Sequence, residues 1–310
     1  MLIISNLNAR VQTTFSLIFA GMKNALTIVL SIFSVAILAV SVACISKRGE
    51  QGPEKKTGTL QPSAAPRDTT FLVNGRAVDI RYPSTKIKGC ILCLPGWNFS
   101  RTDMCDKSGF CAKAKEAGFI LVLPEMGKSI YASSIYPETR SDWMRFPGMS
   151  FFTDTLFPFL QKQFNLLKEG ENNFVYGIST GGRGVAMCAW HCSKIFKAGA
   201  ALSGDYDQLR MPNDNLMKGY YGELSKFRER WEKDDPYLHA EEFKVPLYIA
   251  HGGMDKVVPT EQSKLFYEKL LSVKDHPDVI LHIAEAGEHN YQFWGGETEE
   301  VLRFFSDHCK

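Results

Sequence analysis

From residue 70 onward the chain alternates short, unbroken apolar runs with longer amphipathic ones. The apolar runs are Cys90–Leu94, Phe119–Leu123, Phe174–Gly177, Ala198–Ser203, Val245–Ala250 and Val279–Ala284. Runs this short and continuous read as strands buried on both faces. Apolar residues at helical spacing occupy the intervals near Gly109–Ala117, Thr153–Phe164, Gly182–Ser193, Thr260–Leu271 and Thr298–Asp307. Strand–helix alternation predicts an α/β fold: a mostly parallel sheet with helices on both faces. Ahead of these elements, Thr70–Val73 and Ala77–Tyr82 flank Asn74-Gly75, a hairpin turn signal, so the sheet is expected to begin with an antiparallel edge pair. No internal repeat is evident.

Two connections are too long to be simple loops. Residues 124–150 hold Tyr131, Tyr136, Arg140, Trp143 and Arg145; residues 205–244 hold Tyr206, Tyr220, Tyr221, Trp231 and Tyr237. Long connections at the ends of strands are usually functional, and these are expected to overhang a site as a lid or pocket wall.

The amino-terminal residues 1–45 read differently. Ala25 to Ile45 carries no charge and is rich in Leu, Ile and Val; Met22-Lys23-Asn24 precedes it and Cys44 stands near its end. A basic start, an apolar stretch and small residues before a cysteine describe a signal segment, with Met22 as its natural opening. Ser41-Val42-Ala43-Cys44 resembles a bacterial lipoprotein cleavage box, with serine where an aliphatic residue is usual. It makes Cys44 the lipidation candidate. The competing reading is a retained membrane helix, since about 21 apolar or small residues can cross a bilayer. Lys47 and Arg48 would then favour a cytoplasmic carboxyl side. Either reading puts the protein at a membrane, as an extracytoplasmic lipoprotein or secreted protein, or as a single-pass anchored one. Residues 46–68 have almost no large apolar side chains to offset the entropy of ordering and are expected to form a flexible tether. Residues 69–310, about 240 of them, suit one domain.

Charge and cysteine content narrow the functional classes. A formal charge of +2 argues against nucleic acid or a strongly anionic partner. Cys90 and Cys93 would point to opposite faces of a strand. Cys188 and Cys192 share a helix face, but no nearby His or Cys pair completes a tetrahedral metal site. Both pairs read as small buried hydrophobes. Cys105 and Cys111 could form a disulfide if the domain lies outside the cytoplasm. No metal, nucleotide or other cofactor is expected, because neither ligand spacing nor a phosphate-binding glycine loop is present.

The candidate chemistry centres on Gly177-Ile178-Ser179-Thr180-Gly181, placed between a predicted strand and a predicted helix. A serine at the apex of a strand–turn–helix is the arrangement of a nucleophile elbow, in which the flanking glycines let strand and helix approach closely. Serine needs a base to take its proton and an acid to orient that base. Asp255 follows the run Val245–Ala250, and His289 follows Val279–Ala284, so each lies just past a strand end, where open α/β sheets build their sites. The other candidates are weaker. His251 reads as support for the acid loop, and His282 as a packed or edge strand residue. His191 and His239 read as structural or exposed. Asp205 and Asp207 follow the run Ala198–Ser203, also at a strand end, and stand as alternatives to Asp255.

On Gly177 to Gly182, His251-Gly252-x-x-Asp255-x-x-Val258-Pro259 and Gly287-x-His289, the chain resembles the α/β-hydrolase superfamily. The branches it is most similar to are the single-domain carboxylesterases and the dienelactone-hydrolase-like and prolyl-oligopeptidase-like enzymes. The resemblance covers roughly residues 70–310. It implies a triad of Ser179, Asp255 and His289, with an oxyanion hole formed by the backbone amides of Thr180 and Trp97. The early His-Gly pair usual in the family is Pro95-Gly96 here, a departure that leaves the main-chain donor in place. Trp97, Asn290 and Tyr291 are the nearest pocket candidates, with Tyr131, Tyr136 and Trp143 from the first long connection. The implied function is hydrolysis of a small-molecule carboxylic ester through an acyl-enzyme. The alternatives are a prolyl-oligopeptidase-like peptidase, for whose usual propeller domain the sequence leaves no room; a thioesterase or acyltransferase using the same residues; and a non-catalytic binding protein on the same fold.

Overall fold

The structure is a computed structural model that describes residues 67–143 and 148–309. The signal or anchor segment with Cys44, the tether up to residue 66, and Arg145 lie outside the described residues. Among the described residues no helix is long and apolar enough to cross a membrane. The described residues lie in one compact unit.

Eight strands make one sheet: β1 (Thr69–Val73), β2 (Arg76–Arg81), β3 (Gly89–Leu94), β4 (Phe119–Pro124), β5 (Asn173–Ile178), β6 (Ala198–Leu202), β7 (Leu247–Gly252) and β8 (Val279–Ala284). Their spatial order is β1-β2-β4-β3-β5-β6-β7-β8. β1 and β2 pair antiparallel across Asn74 and Gly75, both at positive φ, which is what a tight hairpin turn needs. β2 also runs antiparallel to β4, and every later pairing is parallel. β4, β5 and β7 are buried at every position, as their unbroken apolar sequences require. Two clusters cover the two faces. One centres on Leu92, Val175, Val185 and Ile249, the other on Ile91, Tyr176, Leu202 and Phe305.

Several helices differ from the sequence expectation. The helix expected at Gly109–Ala117 forms as α2 (Phe110–Glu116), and a helix that was not expected, α1 (Asp103–Ser108), precedes it, the two separated by Gly109 at φ 72°. A π-helical turn, Phe152–Leu156, leads into α3 (Phe157–Phe164). α4 (Thr180–His191) begins directly after Ser179. The second long connection is partly helical, with α5 (Asn215–Tyr221) and α6 (Arg228–Lys233). α7 (Glu261–Leu271), the short α8 (Tyr291–Gly296) and α9 (Thr298–Asp307) complete the chain. The two long connections pack on each other. Ile130, Trp143, Tyr220, Tyr221 and Trp231 form a third buried cluster.

Cys105 and Cys111 form a disulfide joining α1 to α2. Cys90, Cys93, Cys188 and Cys192 are free and buried, and among the described residues no cluster could hold a metal ion. Burial pushes the Cys90 and Cys192 thiols up to about 12, which removes thiolate reactivity at neutral pH. The disulfide closes a short loop, with a sequence separation of 6. Loop-closure entropy then predicts that Cys105→Ala/Cys111→Ala loses about 2 kcal/mol, read by calorimetry as a Tm lowered by about 5 °C.

Candidate active site

Three backbone segments interlock at the carboxyl end of β5. A Cβ on Gly181 would stand 2.8 Å from the Pro95 carbonyl oxygen, and one on Gly182 would stand 2.7 Å from that of Leu202. Only glycine allows β3, β6 and α4 to meet there. The chain passes through Ser179 at φ 56° and ψ −126°, a strained conformation held by the bond from the Ser179 amide to the Leu202 carbonyl, 2.9 Å. The sequence motif is therefore a sharp elbow with its serine between strand and helix, 7% exposed.

The strand register brings the next segment alongside. Leu94 of β3 is opposite Gly177 of β5, so the turn Pro95-Gly96-Trp97 lies next to the elbow. A Cβ on Gly96 would be 3.1 Å from the Ser179 Cβ. The Asn98 amide bonds the Gly127 carbonyl at 2.8 Å and the Phe99 amide bonds the Gly96 carbonyl at 3.1 Å. The Trp97 amide has no acceptor among the described residues. The Thr180 amide is the first of its helix and lacks an intrahelical partner.

The acid and the imidazole arrive from the last two strands. The Gly253 amide bonds the Ala284 carbonyl at 2.8 Å, and the Met254 amide bonds the Gly287 carbonyl at 2.9 Å. Gly252 and Gly287 touch backbone to backbone: a Cβ on Gly287 would be 3.0 Å from the Gly252 Cα. These contacts seat the Asp255 loop against the His289 loop. His289 Nδ1 is 2.6 Å from Asp255 Oδ2, and His289 Nε2 is 2.9 Å from Ser179 Oγ. The other Asp255 oxygen accepts the amides of Val257 and Val258 at 2.8 and 2.9 Å. His251 Nε2 lies 3.3 Å from Oδ2 and 3.1 Å from the Val258 carbonyl, so it carries the proton; its Nδ1 accepts from the Ser263 hydroxyl at 2.7 Å. Burial of Asp255 opposes ionisation. Hydrogen bonds from His251, His289 and the two amides outweigh it, and the carboxyl is held well below the usual carboxylate range. An ionised Asp255 can only accept, so His289 donates from Nδ1 and offers the Nε2 lone pair to the serine hydroxyl.

The structure thus brings Ser179, Asp255 and His289 together, along with the turn carrying Trp97. Asp205, the alternative acid, is buried and paired 3.6 Å from Arg183; Asp207 pairs with Arg210 at 2.8 Å. Trp97 is half-buried, its ring edge-on to Trp143 at 4.7 Å. Tyr291 is half-buried and packs on Phe99 and Trp294.

Of the other pocket candidates, Tyr131 and Trp143 are buried and do not line a cleft. Tyr131 is fully buried rather than cleft-lining. Its φ of 59° turns the ring inward, where a Cβ on Gly184 of α4 would meet it at 2.8 Å. Asn290 is committed to capping α8, its oxygen accepting the Phe293 amide at 3.0 Å. Trp143 is 5% exposed, beneath Trp97, and Tyr136 packs against Tyr221 and Arg230 in the cluster formed by the two long connections.

Three residues were not anticipated. Trp294 stands edge-on to His289 at 5.1 Å and donates to Ser203 Oγ at 3.1 Å. Phe99 lies against Gly96. Arg183, within the nucleophile helix and fully buried, donates to the carbonyls of Ile130 and Asp234 and so fastens both long connections. Only Arg183 left a sequence signal, a lone charge in an otherwise small and apolar helix start.

Residues 158–310 match the model of the prolyl oligopeptidase family, described as Peptidase_S9, a span that includes all three residues of the relay. No curated protein matches the chain by sequence. Solved structures do. An S-formylglutathione hydrolase from Agrobacterium tumefaciens is 16% identical with a TM-score of 0.62, covering 76% of this chain and 90% of its own. A ferulic acid esterase is 16% identical with a TM-score of 0.57, covering 78% and 97%. The acylaminoacyl peptidase of Pyrococcus horikoshii is 18% identical with a TM-score of 0.57, covering 79% of this chain but 42% of its own. The chain has the α/β-hydrolase fold. Fold, family match and the serine–imidazole–carboxylate geometry together support a serine hydrolase of that fold.

Burial raises the Asp205 carboxyl to about 6 despite the pull of Arg183. The folded protein therefore keeps this proton over an interval in which the unfolded chain has lost it, and stability falls as pH rises through that interval. In Asp205→Asn the cost is absent. The variant's Tm relative to wild type is expected to climb between about pH 4 and about pH 7, measured by thermal denaturation across a buffer series.

Proposed function

We propose that this protein cleaves small-molecule carboxylic esters through an acyl-enzyme. The observation that carries the reading is the unbroken relay from the Ser179 hydroxyl through His289 to the Asp255 carboxylate. His289 takes the serine proton as Oγ attacks the ester carbonyl. The amides of Thr180 and Trp97 face the developing oxyanion, and the ionised Asp255 stabilises the imidazolium. His289 then returns the proton to the departing alkoxide, and water releases the acid by the same steps in reverse. The Trp97 and Tyr291 rings supply apolar surface beside the serine, which suits acyl or aryl groups.

A second reading, cleavage of amide bonds in peptides, is favoured by the prolyl oligopeptidase match and by the acylaminoacyl peptidase likeness. Matched p-nitrophenyl esters and p-nitroanilides separate the two, with turnover of the esters alone expected. The Cys105–Cys111 disulfide favours an oxidising compartment. It supports the reading in which residues 1–45 are a signal segment that leaves the domain extracytoplasmic, anchored by Cys44 lipidation; a retained helix followed by Lys47 and Arg48 would favour the cytoplasm instead.

Ser179→Ala is expected to lower kcat for p-nitrophenyl esters on the order of 10⁶-fold, and to abolish fluorophosphonate labelling, with Tm nearly unchanged. Asp255→Asn should cost about 10⁴-fold, because the wrong imidazole tautomer is held. Native turnover by Ser179→Ala would end the assignment. Trp97→Ala retains the backbone donor, so KM for aryl esters should rise about tenfold, worth about 1.4 kcal/mol, while kcat for the acetyl ester stays near wild type.

A further inference from the structure

Tyr131 lies in the first long connection, where an aromatic would be expected to meet substrate, yet it is fully buried. Its hydroxyl donates to the Pro95 carbonyl at 2.7 Å, and that bond is buried. The Pro95 carbonyl belongs to the peptide directly ahead of Gly96, and the Gly96–Trp97 peptide carries the amide assigned to the oxyanion. On its other side the same carbonyl meets Gly181, where a Cβ would stand 2.8 Å away. The carbonyl is thus held between the elbow and one phenol. Tyr131 is itself set rigidly. Its amide donates to Ser129 Oγ at 3.0 Å, its φ is 59°, and its ring fills the space over Gly184 on the nucleophile helix.

We propose that Tyr131 is a positioning residue: by holding the Pro95 carbonyl it fixes the plane of the following peptide and aims the Trp97 amide at the oxyanion. This rests on the ester-cleaving reading above. Two independent features of the turn agree with it. Asn98 and Phe99 donate their amides to Gly127 and Gly96, so the downstream half is anchored, and Tyr131 anchors the upstream half. Burial also keeps the phenol protonated, with a pKa well above its ordinary value, so it remains a donor throughout the working pH range. A hydroxyl at this depth bonds only the turn, and its effect on turnover must pass through that turn.

The test compares wild type, Tyr131→Phe, Ser129→Ala and Tyr248→Phe. The last removes a similar buried bond, from a β7 phenol to the Glu297 carboxylate at 2.7 Å, that does not touch the turn. Readouts are kcat and KM for p-nitrophenyl acetate, inhibition by a trifluoromethyl ketone that forms a tetrahedral adduct on Ser179, and Tm. Tyr131→Phe is expected to lower kcat about tenfold, less than loss of a whole donor, with KM within about twofold, because a ground-state carbonyl draws little on the oxyanion donors. Ketone affinity should fall by the same factor as kcat. Ser129→Ala, which only loosens the seat of Tyr131, should show a severalfold loss in the same pattern, and it carries the test if Tyr131→Phe does not fold. Tyr248→Phe should lose Tm but neither kcat nor ketone affinity. Wild-type kcat and ketone affinity in folded Tyr131→Phe would overturn the inference, and so would an equal loss in Tyr248→Phe. Absence of ester turnover in the wild type would instead remove the reading on which it rests.

Discussion

The site depends on backbone crowding at the end of β5. Where β3, β5, β6 and α4 meet, carbonyls and amides stand at distances that leave no volume for a Cβ at Gly177, Gly181 or Gly182. The elbow's strained serine costs on the order of 1–3 kcal/mol. It persists because the surrounding strands overdetermine it: the Ser179 amide is bound to β6 and the helix starts at the next residue. The same crowding that strains Ser179 lifts its hydroxyl out of the sheet. It also sets the Gly96 turn against the serine, so the serine and the oxyanion donors proposed above share one origin in packing.

The second half of the site is electrostatic. Asp255 is a carboxylate with no exposed side-chain surface, and by itself it would be costly to bury. Two amides and two imidazoles satisfy it. That surplus of donors fixes the roles of the two histidines. His251 must donate from Nε2, because one neighbour is a carbonyl and the other a carboxylate, and it has no free nitrogen left for chemistry. His289 must donate from Nδ1, and its remaining nitrogen faces the serine. The distinction between support and base, drawn in the sequence from motif position alone, has this physical cause.

Strand order along the chain and the three residues of the relay were legible because both are local signals. Unbroken apolar runs mark buried strands, and glycines at fixed offsets mark places where backbones touch. What escaped was set by contacts remote in sequence. α8 has six residues, two of them glycine, and shows no helical period; it forms because Asn290 caps it and it packs against α1. α1, ahead of Gly109, has only six residues, too few to show a helical period. Tyr131 and Trp97 are both aromatics near a predicted strand end, and no local pattern reveals that one has a positive φ and faces α4 while the other remains half-exposed.

Arg183 links these levels. It sits on the helix that begins at the nucleophile, and it is bound to Ile130 from one long connection and to Asp234 from the other. Asp234 in turn accepts from the Ser133 amide and the Tyr221 hydroxyl, so the two connections are tied to each other as well as to α4. Fully buried, Arg183 can be accommodated only while those partners stay in place, since an unpaired buried guanidinium is strongly unfavourable. With Trp143, Tyr220, Tyr221 and Trp231 packed together above it, swinging the whole assembly away from α4 would expose both the charge and the cluster. The roots of the long connections are therefore a fixed wall. On the function proposed above, selectivity at Ser179 would follow from the shape of that wall and the half-exposed rings at its edge, rather than from opening of a lid.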